Sequence, residues 1–250
     1  MSTLAQRQWR QKAQTAVRRA VTAVKEARSR FQALSDGGDA ATSGLANLAL
    51  QLSHLPNLHL PEALSRVKSD VRAAAAAKLA RQLSASVEGL GDRVRQLESC
   101  VEALAGALSL LDGVADQDQP WMRTAAIFHS MPLPRVRQLL SKVYDMYKLE
   151  HDSKAAVAAA LVELVARPLA AAEAALTEAG TNGGSGPNGR QRDAVGAAVL
   201  AEVTHQGASA VQRLPDFCTT YLSVWMLSPY LEDEQADEVL VALDEDLASF

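Results

Sequence analysis

Aromatic residues make up only 4% of the 250-residue chain, and cysteine occurs twice. No stretch alternates apolar and polar residues as a half-buried strand does, and no Asn-Gly turn joins two apolar runs. The shortage of aromatics leaves few rings on which nucleic-acid bases could stack. Cys100 and Cys218 lie far apart in helix-like stretches, which suits free, packed thiols in a reducing compartment rather than a disulfide framework. Missing too are the phosphate-binding G-x-x-x-x-G-K-[ST] loop and the G-x-S-x-G nucleophile turn, so nucleotide and hydrolase chemistry have no such motif to stand on. No apolar run is read as approaching the roughly 20 residues that cross a bilayer, and no short hydrophobic block follows an N-terminal charge. The chain is therefore expected to be soluble and intracellular, with no membrane partner.

What is abundant is alanine and leucine within a hydrophobic fraction of 48%. Both favour helix, and alanine lets backbones approach closely. A chain of this length buries a substantial core without disulfides or metals. Its net charge is -4, but the charge is polarised along the chain. Before Leu34 stand Arg7, Arg10, Lys12, Arg18, Arg19, Lys25, Arg28 and Arg30 against the single acid Glu26. After Tyr230 stand Glu232, Asp233, Glu234, Asp237, Glu238, Asp244, Glu245 and Asp246 with no base.

Helical spacing runs almost throughout. A first helix is expected from Thr3 to Leu34, with Val17, Val21, Val24, Phe31 and Leu34 on one face. Asp36-Gly37-Gly38-Asp39 is expected to end it, and a second helix to cover Ala40 to His54, with Leu45, Leu48 and Leu52 as its stripe. Pro56 and Pro61 bracket the next turn. The third helix, from Glu62 to Leu111, carries Leu83, Val87, Leu90, Val94, Leu97, Val101, Leu104, Leu108 and Leu111 in steps of four and three. Such a heptad seam packs knobs into holes against another helix. A short helix is expected around Trp121 to His129. A long one follows the two prolines of Met131-Pro132-Leu133-Pro134, with a kink at Pro168. Thr181 to Arg190 reads as a glycine-rich linker, helix resumes near Asp193, and a final pair covers Ala208 to Leu227 and Asp233 to Leu247.

The fold class implied is all-α, an elongated antiparallel helical bundle with long coiled-coil-like helices. Residues 1–180 would form the bundle core and 181–192 a flexible linker. Residues 193–250 would then pack back on the core as C-terminal helices with an acidic tail.

Chemistry-bearing residues are dispersed. His54, His59, His129, His151 and His205 are scattered, with none at i+3 or i+4 of another, and Cys100 flanks the seam as a packed thiol would. Neither metal nor cofactor is expected, and no catalytic residue is assigned. The basic first helix admits three readings: a mitochondrial presequence, a surface for RNA or anionic lipid, or a solvated face. The acidic tail is either a solvated helix face or a patch that steers a basic partner.

Three stretches carry a family resemblance. They are Ser43-Gly44-Leu45-Ala46-Asn47-Leu48-Ala49-Leu50-Gln51-Leu52 with Asn57-Leu58 behind it, Leu139-Leu140-Ser141-Lys142-Val143-Tyr144-Asp145-Met146-Tyr147, and Val211-Gln212-Arg213-Leu214-Pro215 followed by Glu232-Asp233-Glu234 and the apolar helix to Phe250. In order and spacing the chain resembles the AIRIM family, small helical ribosome-maturation factors that associate with AFG-type AAA ATPases. The likeness covers most of Ala16 to Phe250. It departs at Ala155 to Arg192, an alanine-rich extension with the glycine stretch, and at the basic run after Tyr147, where acids separate Lys148 from Lys154.

The resemblance implies a non-catalytic adaptor of the cytoplasm and nucleus. Such an adaptor would join a second small helical subunit and an AAA ATPase complex to the pre-60S particle, with no small-molecule substrate. The expected partner contacts are charged and aromatic positions of the poles: Arg18, Arg19, Tyr144, Tyr147, Lys148, Glu232, Asp233, Glu234 and Asp237. The rival readings are a coiled-coil scaffold built on the seam and a basic-helix binder of RNA or anionic membrane.

Overall fold

The computed structural model describes residues 4–59, 61, 71–115, 120–181, 188–205 and 208–248. These form six α-helices: α1 (Leu4–His54), α2 (Val71–Ala115), α3 (Leu133–Thr181), α4 (Asn188–His205), α5 (Ala208–Leu227) and α6 (Asp233–Ala248). Short 3-10 turns occupy Leu55–Asn57 and Pro120–Arg123, and one isolated bridge joins Ala126 to Pro132. No strand occurs among the described residues, and the expected all-α helical bundle with long helices is the architecture found. The expected start of the third helix, Glu62 to Asp70, lies outside the described residues, as do 182–187 of the expected linker.

Two compact units are built from interleaved stretches of chain. One comprises Met1–Asp36, Val94–Ser153 and Ser228–Phe250, and the other Gly37–Arg93 and Lys154–Leu227.

In the first unit, α1 buries Trp9, Ala13, Val17, Val21, Val24 and Phe31 at helical spacing. From α2 come Leu97, Leu104 and Leu111, all within 1% of complete burial. α3 adds Val136, Leu140 and Val143, and α6 adds Ala236, Val239, Leu240 and Leu243. Each such leucine or valine contributes about 1.5–3 kcal/mol relative to an exposed one. Two tryptophans lock one end. Trp9 meets Trp121 edge to face at 5.2 Å, and its Nε1 donates to the Val114 carbonyl at 3.4 Å. That carbonyl belongs to the last turn of α2, where the helix itself supplies no donor.

The second unit packs with smaller residues. Ala73, Ala76, Ala77 and Ala80 of α2 are buried, as are Leu45, Ala46, Ala49 and Leu52 of α1 and the i+4 stripe Val195, Val199 and Val203 of α4. The reason is backbone proximity. A Cβ built on Gly196 of α4 would overlap the Ala73 carbonyl and lie 2.8 Å from its Cα. Among the described residues Trp225 is the one large ring fully enclosed here, with Gly38 beneath it and the Lys154 ammonium 4.8 Å from its centroid. Lys154 is itself fully buried and donates to the Trp225 carbonyl at 2.6 Å.

Several sequence expectations change. The first two expected helices are one, because Gly37 and Gly38 do not break α1. They stay helical to let other side chains come close. A Cβ on Gly37 would strike the Arg93 guanidinium, and one on Gly38 would lie 2.5 Å from Trp225 Cζ2. Helix is otherwise costly for glycine, by about 1 kcal/mol each against alanine.

The short helix expected from Trp121 to His129 is only the 3-10 turn Pro120–Arg123, after which the chain bends and Ile127 N donates to Met131 O at 3.0 Å. α4 begins at Asn188 rather than near Asp193, so part of the expected linker is helical. Pro168, where a kink is expected, lies inside α3. The helix is also long and apolar enough to cross a membrane by length and composition, contrary to the sequence reading of no such run. Alanine accounts for this. From Lys154 onward the helix's buried positions, Lys154, Val157, Ala158, Leu161, Val165, Pro168 and Ala172, form a single stripe, as on a helix with one face toward a core.

Candidate functional site

The two charge poles meet inside the first unit. Arg28 of α1 donates from Nε to the Tyr147 hydroxyl at 3.1 Å, forms an ion pair with Asp237 and reaches Asp233 at 3.5 Å. One turn earlier, Lys25 holds Asp244 at 2.5 Å. The α1 sequence places Lys25 and Arg28 three residues apart, on one edge of the buried stripe. Asp233, Asp237 and Asp244 follow the helical repeat of α6 beside its own apolar face.

The pairing perturbs the groups involved. The hydrogen bond from Arg28 holds the Asp237 carboxylate below its usual range, and Asp237 in turn keeps the Arg28 guanidinium more firmly protonated. Burial pushes the Tyr147 hydroxyl up to about 12, a shift that the nearby Arg28 partly offsets. The ring of Tyr147 packs edge to face on Phe31 at 5.0 Å.

The expected contact residues therefore separate. Tyr147 is fully buried and serves as a structural acceptor for Arg28, which corrects its assignment to a partner surface. Asp233 and Asp237 are engaged by Arg28, although both carboxylates keep more than half of their exposure. Glu232 and Glu234 are exposed at the start of α6, and Glu238 and Val241 face outward further along it. Tyr144 is half-buried, and Lys148 is exposed and paired with Asp152 at 2.9 Å along the helix.

Arg18 is exposed but stacks its guanidinium over Phe128, 5.2 Å from the ring centroid. Arg19 is exposed and, like Lys12, has no hydrogen-bond or ion-pair partner among the described residues. These cations flank a groove of about 980 Å³ between the N-terminal turns of α1 and the end of α2. Gln8, Gln11 and Thr15 add polar groups to the α1 wall, and Leu110 and Val114 form the opposite one.

No family model matches the chain, and no curated protein is significantly similar to it. Its functional surfaces are accordingly read from geometry.

Sequence reasoning missed Asp246, which was grouped with the solvated acids of the tail. It is buried and accepts from Ser130 N at 2.7 Å, Ser130 Oγ at 2.8 Å and Met131 N at 3.3 Å, fixing the loop that leads into α3. The signal was present. Asp246 continues the Ala236, Val239, Leu243 stripe at i+3, on the inward face.

Two sequence strings also need their context. Gly184, Gly186 and Gly189 fit G-x-G-x-x-G, but the element before them is α3, not the strand that a dinucleotide site requires. Glu202 and His205 on α4 have Glu-x-x-His spacing, yet among the described residues no three His, Cys, Asp or Glu side chains are grouped to hold a metal ion. Cys100 and Cys218 are free and buried, and desolvation pushes both thiols upward. The second unit contains a pocket of about 400 Å³ floored by Ala77, Ala80, Ala172 and Val195, with Arg81, Glu173 and Arg192 at its edge.

Proposed function

We propose that the chain is a non-catalytic adaptor in ribosome biogenesis. In this role it links an AAA ATPase complex, together with a second small helical subunit, to maturing large ribosomal subunits in cytoplasm and nucleus, for release and recycling of assembly factors. The resemblance of the three stretches to the AIRIM family supplies the biological setting. Those stretches fall in α1 and the turn that follows it, in α3, and across α5 and α6.

The observation that carries the physical part of the reading is the division between covered and uncovered surface. None of the nine seam positions, Leu83, Val87, Leu90, Val94, Leu97, Val101, Leu104, Leu108 and Leu111, is exposed. The largest apolar pattern in the chain is thus spent on its own packing. Charged faces remain outside: the Lys12, Arg18 and Arg19 groove and the outer face of α6. Surfaces of this kind steer and orient protein partners.

The same observation weighs against a scaffold that dimerises through the seam, because six of its nine positions are buried and the other three, Val87, Val94 and Leu108, are half-buried. A basic-helix binder of RNA or anionic membrane keeps the support of the groove cations. It loses Trp9 and Phe31 as stacking rings, since both are buried.

The test is affinity purification of the tagged full chain from its native cells, followed by mass spectrometry. An AAA ATPase and large-subunit maturation factors are the expected companions. Recovery of neither would remove the ribosome reading.

A further inference from the structure

The basic half of α1 is divided by its internal partners. Arg10 donates to the Ala126 carbonyl at 2.9 Å, Arg18 lies over Phe128, and Lys25 and Arg28 are met by carboxylates of α6. Lys12 and Arg19 have no such partner among the described residues, and they stand beside an open groove whose far wall is Leu110 and Val114. Leu110 is 41% exposed and half-buried Val114 lies one turn further along α2.

We infer that this groove is a docking site for an acidic, amphipathic helix of a partner protein. The inference rests on the adaptor reading for the existence of a partner, and it adds the surface and the chemistry of what binds there.

Charge and shape carry the case together. Three cations, Lys12, Arg18 and Arg19, line the groove, and no carboxylate does so among the described residues. Its complement is therefore acidic. The opposite wall is apolar, which matches a helix with leucine or valine on the stripe adjoining its acids, in the helix-in-groove mode. From Gln8 to Arg19 the α1 wall rises roughly 16 Å, enough to seat about three turns.

The molecule already contains one instance of this pairing. α6 is an acidic amphipathic helix that sets Asp237 and Asp244 on Arg28 and Lys25 of α1 while burying Val239, Leu240 and Leu243. The groove offers the same combination to a helix from outside.

A nucleic-acid strand fits less well. Its phosphates would find the cations, but its bases would find no stacking ring. Trp9 is buried against Trp121, Phe128 is 4% exposed beneath Arg18, and an exposed leucine gains nothing from a phosphate backbone.

The test uses the full chain and fluorescence anisotropy. The probe is a labelled helical peptide of roughly 14 residues, about four turns, with glutamates on one stripe and leucines on the next. A scrambled peptide of equal composition and an oligouridine of similar charge serve as comparisons. The striped peptide should bind at least about tenfold more tightly than the scrambled one.

Lys12→Glu with Arg19→Glu should weaken binding by about tenfold or more, and Leu110→Ser should weaken it as well. Lys142→Glu, an exposed charge elsewhere in the same unit, should not. Circular dichroism checks that the double reversal folds, and the milder pair Lys12→Gln and Arg19→Gln replaces it if it does not.

Equal binding of the scrambled peptide, indifference to these substitutions, or dimerisation of the chain through the groove would overturn the inference. So would oligouridine binding that is tighter than the peptide's and lost with the same cations. Co-purification of the AAA ATPase is scored separately. An ATPase recovered without peptide binding ends the groove inference alone, and peptide binding without an ATPase ends the ribosome reading alone.

Discussion

Alanine at Gly38 should bring no gain in stability, although glycine to alanine inside a helix ordinarily does. The glycine sits within the long helix α1, where removing the backbone entropy penalty would by itself gain about 1 kcal/mol. Against this stands a Cβ placed 2.5 Å from Trp225 Cζ2 and 2.9 Å from both Cε2 and Nε1. The ring has little room to retreat, since it is fully buried and Lys154 is stationed against it. Overpacking of this kind costs about 1–3 kcal/mol, so the net effect ranges from near neutral to a loss of about 2 kcal/mol.

Internal controls make the result decisive. Gly44, Gly89 and Gly106 lie in the same kind of long helix, and a Cβ on any of them meets nothing within 4 Å. Their alanine variants should each gain about 0.5–1 kcal/mol. Gly196→Ala should lose more than Gly38→Ala, because the obstacle is the Ala73 backbone rather than a side chain. The assay is urea unfolding followed by circular dichroism, with every variant on one axis. If Gly38→Ala and Gly196→Ala rise with the three controls, the close approaches described for the second unit are wrong.

Three further outcomes follow from the first unit. Tyr147→Phe removes the acceptor for Arg28 Nε and should lower stability by about 1–2 kcal/mol in urea unfolding while leaving helix content unchanged. Asp246→Ala strands two backbone N–H groups at Ser130 and Met131 and should cost about 1–3 kcal/mol, with faster hydrogen exchange at those amides as the local readout. Asp237 has a folded value below its ordinary 3.8, so its contribution is complete above 3.8 and is lost as pH falls through the folded value. The stability gap between wild type and Asp237→Asn should accordingly be full at neutral pH and close in acid, as read from urea midpoints across that range.

Local patterning carried the helices well and the tertiary pairings poorly. The heptad from Leu83 to Leu111 was legible because its period is a property of one segment, and the leucines at seven-residue steps, Leu83, Leu90, Leu97, Leu104 and Leu111, are indeed those most deeply buried. Gly37-Gly38 misled for the opposite reason. In sequence a glycine pair reads as a stop, and only the arrival of Trp225 from far along the chain turns it into a contact surface.

The charge poles misled in the same way. Each reads alone as a docking patch, and nothing local says that Lys25 and Arg28 will be met by acids some two hundred residues away. Tyr147 was counted among the partner contacts as an aromatic of the stretch that resembles the family. Its place in the Val136, Leu140, Val143 stripe was the better guide. The groove beside Lys12 and Arg19 depends on where α2 ends, which periodicity does not specify.

The most direct test of the adaptor account is the behaviour of maturing large subunits when the chain is depleted. Cytoplasmic extracts would be separated by sedimentation, and the assembly factors on the pre-60S fractions quantified by mass spectrometry. The account predicts that late-acting factors accumulate on those particles and return to normal when the intact chain is restored. An unchanged distribution of factors after complete depletion would contradict it.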